Sequence, residues 1–243
     1  MTNTAADIPA DLRATLMRTS AASISTQLIR RGLRNVAIRG VRPLRTDLST
    51  MVGPAFTLRY VPAREDLDAY GAGGDPGNIQ RQAIERAPAG HVFVVDCRGA
   101  ADIAGIGSIL GQRLLQRGLK GIVLDGGVRD TMSLATTAMP TYCLGPAVPP
   151  NYAGHHAADM NVVVSCGGVA VYPGDIIVGD REAVVVIPRH LAAEIADEAA
   201  EMERRERFLY SQIEAGHSIN GIYPPSAETM QRYEDALVSG AAM

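Results

Sequence analysis

Two short, wholly apolar runs, Val92-Phe-Val-Val95 and Gly121-Ile-Val-Leu124, flank a segment of helical period, and this arrangement restricts the fold more than any other feature. Runs of that length without alternation fit strands buried on both faces. Between them, Ser108 to Arg117 places Ile109, Leu110, Leu114 and Leu115 on one stripe, and Gly118 supplies the left-handed stop that ends many helices. The unit reads as strand, glycine loop, helix, parallel strand. A right-handed crossover then sets the loop at 97–108 and the turn at 126–130 on the same edge of the sheet, beyond the carboxyl ends of their strands.

That edge is where chemistry is expected. The helix start offers the backbone N–H groups of Gly107, Ser108, Ile109 and Leu110, which suit a carboxylate or an enolate oxygen. The turn offers Arg129, a fixed cation with a planar donor fork, and Asp130, a carboxylate able to hold a hard divalent cation. N–H donors, a guanidinium and a metal carboxylate together suit a small anionic oxo acid. The plainer reading of the same residues is a surface salt bridge or a helix cap.

Composition narrows the classes. At 243 residues and 47% hydrophobic content, the chain can bury one sizeable core, so residues 1–243 read as one α/β domain, with a core at about 20–190 and a helix and arm at 190–243. A net charge of -3 gives no footprint for nucleic acid, and the absence of tryptophan argues against a base-stacking platform. No apolar run approaches the roughly 18 residues of a membrane span, and Met-Thr-Asn-Thr-Ala-Ala-Asp lacks a secretory pattern. Cys97, Cys143 and Cys166 are odd in number and without metal spacing, as expected for reduced thiols in the cytoplasm.

Along the chain, residues 9–32 read as one or two helices with Ser20 or Ser23 as a cap, and 36–38, 41–44 and 54–61 as strands. The glycine-rich stretch 70–78 lacks both the preceding strand and the Gly-Lys-Ser/Thr of a phosphate loop, and reads as entry to a helix over 79–86 capped by Asp75 or Asn78. A short helix is expected at 132–138 and a strand at 141–144. Residues 145–160 look too polar and proline-rich for regular structure, and His155, His156 and Asp159 are weighed as a metal cluster and set below a loop at a pocket rim or subunit contact. Strands follow at 162–164, 169–171, 176–178 and 183–187. A helix over 190–214 then carries Leu191, Ile195, Ala199, Met202 and Leu209 on its apolar side, and the last segment reads as an arm that packs on a neighbour.

The motif Gly118-Leu-Lys-Gly121-Ile-Val-Leu-Asp125-Gly-Gly-Val-Arg129-Asp130 resembles the signature of the family that holds the regulator of ribonuclease activity A and the class II 4-hydroxy-4-methyl-2-oxoglutarate (4-carboxy-4-hydroxy-2-oxoadipate) aldolases. Val52-Gly-Pro-Ala-Phe-Thr57 and Cys166-Gly-Gly-Val-Ala-Val-Tyr-Pro-Gly-Asp175-Ile-Ile-Val-Gly-Asp180 match as well, and the likeness covers roughly residues 20–215. It implies a swivelling β/β/α domain with parallel and antiparallel strands, plus N- and C-terminal helices, and a homotrimer or homohexamer with sites at subunit interfaces. It also implies a Mg2+- or Mn2+-dependent lyase that makes pyruvate from a 2-oxo acid through an enolate, with Arg129 and Asp130 catalytic and Asp130 on the metal. Glu206, or else Glu203, matches an acid that a neighbouring subunit brings to the metal waters. Two positions depart from the pattern: Ser108 stands where an acidic residue, separated from Arg129 by twenty residues, is expected, and Thr26 or Gln27 replaces an acid in Ser25-Thr-Gln-Leu28. Oxaloacetate decarboxylation as the main activity, and a non-catalytic regulator that binds a ribonuclease, are the other functions the resemblance implies.

Overall fold

The computed structural model describes residues 7–68, 75 and 77–239. Its centre is the 12-residue strand Met51–Pro62, buried along most of its length. The carboxyl-terminal half of that strand pairs parallel with Val92–Asp96, which pairs parallel with Gly121–Leu124, and that strand with Thr141–Cys143. Its amino-terminal half pairs antiparallel with Ile176–Gly179, which forms a hairpin with Val184–Ile187. One strand therefore belongs to two differently wound halves of a nine-stranded sheet.

Alternation along each parallel strand separates two packed faces. Phe56, Leu58, Phe93, Val95, Ile122 and Leu124 meet Ile84 and Leu114 from the helices Ile79–Arg86 and Ser108–Gln116. Ala55, Val92, Val94 and Val123 face the opposite way, onto the hairpin formed by Val164–Cys166 and Val169–Val171. Both faces are thus covered, which is why the runs are apolar throughout. The antiparallel half is closed by Ala21–Arg30 and Ala192–Glu214, through Ile24, Leu28, Ile195 and Ala199. Leu114 has no exposed surface, and truncating such a residue to Ala costs about 2–5 kcal/mol in well-packed cores.

Three of the parallel strands each run on into a short segment of a second sheet: Ala104–Ile106, Gly127–Val128 and Gly145–Pro146, all parallel. The sequence reading leaves these stretches as loop and turn. They are two or three residues long and rich in glycine, so no apolar run marks them. Gly105 and Gly127 are required by close approach: a Cβ on Gly105 would lie 2.6 Å from Cys97 Sγ and 3.1 Å from Leu124 Cδ1. This layered arrangement, with helices at both ends of the chain, is the swivelling β/β/α architecture.

Three expectations are corrected. The 145–160 stretch is ordered, with a 3-10 turn at Asn151–Ala153 and a strand at His155–Met160 that pairs antiparallel with the overhanging end of Met51–Pro62. Its polar composition reflects an edge position: His155 and Ala157 are buried while His156 faces outward and pairs with Asp68 at 2.8 Å. Ile109, placed on the buried helical stripe, is 82% exposed, because it sits in the first turn beyond the edge of the sheet. The strand expected at 162–164 instead spans Val164–Cys166. Beyond these corrections, the terminal segment adds a helix that no period in the sequence reading marks, Ala227–Val238, whose Tyr233 Oη donates to Glu201 at 2.8 Å and whose Tyr233 ring meets Phe208. Among the described residues, no helix is long and apolar enough to cross a membrane. Most of the glycine-rich stretch 70–78 lies outside the described residues, but the Asn78 side chain caps Ile79–Arg86 by accepting from Arg81 N, and Ser20 caps Ala21–Arg30 in the same way from Ser23 N.

Candidate functional site

The small parallel sheet lies over the carboxyl ends of the main strands, and three buried or half-buried connections lock it there. Asp125 follows Gly121–Leu124 and accepts from Cys97 N at 2.6 Å and Gly167 N at 3.1 Å. Burial pushes its carboxyl up to about 6 against the opposing effect of those N–H bonds. Asp96 likewise accepts from Arg98 N at 3.0 Å and Ser165 N at 3.1 Å. Tyr60 Oη donates to Gly105 O at 2.9 Å, and Gln80 Nε2 donates to both Tyr60 Oη and Gly105 O, at 2.6 and 2.9 Å. His155 stacks on the Tyr60 ring with centroids 4.7 Å apart, and burial together with the Arg98 cation lowers it to about 4. These groups hold the frame, and Asp125 within the family motif acts as a clamp between loops.

The frame brings the predicted residues to one rim. Arg129 N–H donates to Ile106 O at 3.0 Å, which extends the pairing of Ala104–Ile106 with Gly127–Val128. Asp130 follows in the left-handed region, at φ 55°, a conformation that Asp tolerates better than most residues. Asp130 occupies the N-cap position of the short helix Thr131–Ala135 yet makes no side-chain cap bond there. Its Oδ2 instead accepts from Ser108 Oγ at 3.2 Å and, more weakly, from Ser108 N at 3.4 Å. The helix-cap reading is therefore half right: the carboxylate steadies a helix start, but that of Ser108–Gln116. Gly107 makes no side-chain cap, and the first bond of that helix is Gly111 N to Gly107 O. The N–H groups of Ile109 and Leu110 are accordingly free of helical carbonyls.

Gly107, Ile109, Leu110, Arg129 and Asp130 line a cavity of about 190 Å³, with Gln80, Arg81, Gly105 and Asn151 among the other walls. Ser108 contributes through its bonds to Asp130. Gln80, Arg81 and Asn151 belong to no motif, and the sequence reading does not find them. Glu206 lies in a separate groove with Ser20, Ser23, Arg207 and Tyr210 of the same chain, and Glu203 is engaged there by Ser20 N at 2.6 Å.

The donor set bears on the expected metal. Among the described residues no group of three or more His, Cys, Asp or Glu is placed to hold an ion, His155, His156 and Asp159 included. Asp130 offers Oδ1, which no described residue engages, beside the Ser108 hydroxyl. One carboxylate with room for water and substrate oxygens fits Mg2+ or Mn2+, which keep much of their water shell, and does not fit a caged Zn2+ or Ca2+.

Fold and rim together define a swivelling β/β/α protein with a cationic pocket, of small-molecule size, at a helix start. The family is given by comparison: residues 21–186 match the RraA-like (Aldolase/RraA) family model, and the chain belongs to that family. A "Putative 4-hydroxy-4-methyl-2-oxoglutarate aldolase" of Halalkalibacterium halodurans is 30% identical over 188 residues, 76% of this chain and 82% of that protein. Protein DlpA of Legionella pneumophila is 26% identical over 84% of this chain, which spans only 32% of the length of that relative. Among solved structures, Streptomyces coelicolor RraAS2, described as an unusual member of the RNase ES inhibitor RraA protein family, superposes with a TM-score of 0.74 at 30% identity, covering 83% of this chain and 96% of its own.

Proposed function

We propose that this chain is a lyase that cleaves a small 2-oxo acid to pyruvate through an enolate, with a 4-hydroxy-2-oxo acid as the retro-aldol substrate and oxaloacetate as the decarboxylation substrate. The observation that carries the reading is the meeting of Arg129 and Asp130 with the open first turn of Ser108–Gln116 across a cavity of about 190 Å³. In this reading the N–H groups of Ile109 and Leu110 grip the substrate carboxylate. The C4 hydroxyl gives its proton to water at the exposed mouth, C4 becomes the carbonyl of the second product as the C3–C4 bond breaks, and the electron pair of that bond moves through C3 and C2 onto the C2 oxygen; with oxaloacetate C4 leaves as CO2 and no hydroxyl proton is involved. Arg129 stabilises that oxygen more as it becomes an oxyanion than as a ketone, so its binding energy lowers the barrier. The enolate then takes a proton at C3 and leaves as pyruvate. Asp130, set in place by Ser108, would hold Mg2+ or Mn2+, which when bound supplies a Lewis acid at the 2-oxo carboxylate end. Without a usable lysine at this rim, where Lys120 precedes its strand at the far end, a Schiff-base route has no residue to carry it.

Ile109, Met132 and Val148 are each more than four-fifths exposed, which supports a homo-oligomer, trimer or hexamer, with Glu206 of the partner subunit as the acid near the site. The three unpaired thiols accord with a cytoplasmic setting. Pyruvate release from 4-hydroxy-4-methyl-2-oxoglutarate and from oxaloacetate, followed with and without Mg2+ or Mn2+, tests the proposal. Pyruvate from either supports it. None from either, together with capture of a ribonuclease, would replace it with the regulatory role that Ser108 in place of an acid favours.

A further inference from the structure

Consecutive carbonyls of the strand Ala104–Ile106 point in opposite directions, and each is claimed by a different wall of the cavity. Ile106 O accepts from Arg129 N, whereas Gly105 O accepts from Gln80 Nε2 of the helix Ile79–Arg86. Arg81 is the next residue of that helix, is exposed, and lines the same cavity. Two arginines thus reach one small space from the two sides of a single strand. Neither guanidinium has an ion-pair partner among the described residues, although nine of the ten ion pairs there involve arginine. Among the described lining residues Asp130 is the only carboxylate against two arginines, so the cavity carries an excess of positive charge.

Building this rim firmly is itself informative. Gln80 is only 4% exposed, its Nε2 is tied to Tyr60 and Gly105, and its Oε1 accepts from Asn151 Nδ2 at 3.2 Å. The backbone that carries Arg81 is therefore fixed relative to the strand that carries the reaction end. We infer that Arg81 is a specificity-determining residue for the proposed cleavage: it pairs with the second carboxylate of a dicarboxylic 2-oxo acid such as 4-hydroxy-4-methyl-2-oxoglutarate, at the end away from the 2-oxo group. The inference rests on the lyase reading for the chemistry but not for the binding. A single arginine with the helix N–H groups suffices for pyruvate; a second unpaired arginine has no work to do on a monoanion. A planar fork aimed at a carboxylate gives both charge and geometry, which Lys reproduces only in charge.

Wild type, Arg81→Ala and Arg81→Lys are compared by calorimetry with 2-oxoglutarate and with pyruvate, and by turnover of 4-hydroxy-4-methyl-2-oxoglutarate against 4-hydroxy-2-oxopentanoate, which lacks the far carboxylate. Arg81→Ala is expected to weaken 2-oxoglutarate binding and raise KM for 4-hydroxy-4-methyl-2-oxoglutarate by about tenfold or more, with kcat changed much less, pyruvate affinity and 4-hydroxy-2-oxopentanoate kinetics unmoved, and partial recovery in Arg81→Lys. Turnover by wild type with an equal effect, or none, on dicarboxylic and monocarboxylic ligands would overturn the role of Arg81 while leaving the lyase reading intact. Arg81-dependent binding of 2-oxoglutarate without turnover of any substrate would do the reverse. Binding of neither acid by wild type would overturn both.

Discussion

Ser108→Asp puts the metal proposal and the Ser108–Asp130 geometry to the same test. The serine hydroxyl lies 3.2 Å from Asp130 Oδ2, so an aspartate there sets two carboxylates about 4 Å apart. At that distance two unit charges repel by about 1 kcal/mol in water and about 4 kcal/mol in a half-buried setting; Asp130 is exposed, and the lower figure applies. A negative charge in the first helical turn returns about 0.3–1 kcal/mol, so the ion-free variant should melt within a few degrees of wild type. Divalent ions reverse the balance. A second carboxylate facing a dication in the same medium contributes about 2 kcal/mol, which is roughly thirtyfold in affinity. Mn2+ titration at low ionic strength, read as loss of the free-ion electron paramagnetic resonance signal, should therefore give a tenfold to thirtyfold tighter Kd for Ser108→Asp, with Ser108→Ala close to wild type. Equal Kd values for all three proteins would show that Asp130 does not hold the ion, and the metal assignment would fall with it.

Three further outcomes are expected. Arg129→Ala should lower kcat for pyruvate release by about a hundredfold to a thousandfold with a smaller change in KM, since its contact strengthens as the oxyanion forms; unchanged turnover would remove it from the mechanism. Because burial raises Asp125 to about 6, the fold favours its neutral form, so its contribution is complete below the unfolded value near 3.8 and is lost as pH climbs through about 6. Wild type should therefore gain melting temperature relative to Asp125→Asn as pH falls from 7 to 4, and a constant gap would refute this. Burial also pushes Cys143 up to about 11 and Cys97 and Cys166 well above the usual thiol range, so a thiol reagent at pH 8 should label none of the three until guanidinium is added; one fast-reacting thiol in the native protein would contradict it.

The parts that were legible in the sequence are those where burial imposes a period. Val92–Asp96, Gly121–Leu124 and Ser108–Gln116 announce themselves because both sheet faces and one helix face exclude water. Arg129 and Asp130 could be placed because a parallel crossover leaves little choice of edge. What escaped was set by tertiary pairing. Gly127–Val128 and Gly145–Pro146 have too few residues to show any period, and His155–Met160 reads as loop because only an overhanging neighbour makes it a strand. Gln80, Arg81 and Asn151 reach the cavity from elements far from the motif, joined by an amide-to-amide bond that no spacing rule encodes. Ile109 was misplaced because helical period alone cannot tell a core-facing first turn from one that overhangs the sheet.

The shared strand Met51–Pro62 has a consequence for how the molecule comes apart. Its first residues complete the antiparallel half and its later ones the parallel half, so neither half can melt while the other keeps all its partners. Loss of the terminal helices should loosen one flank first, but the amide hydrogens of Val52, Gly53, Ala55, Phe56 and Thr57 ought to exchange only when the whole sheet opens, which ties the integrity of a rim at one end of the fold to packing at the other.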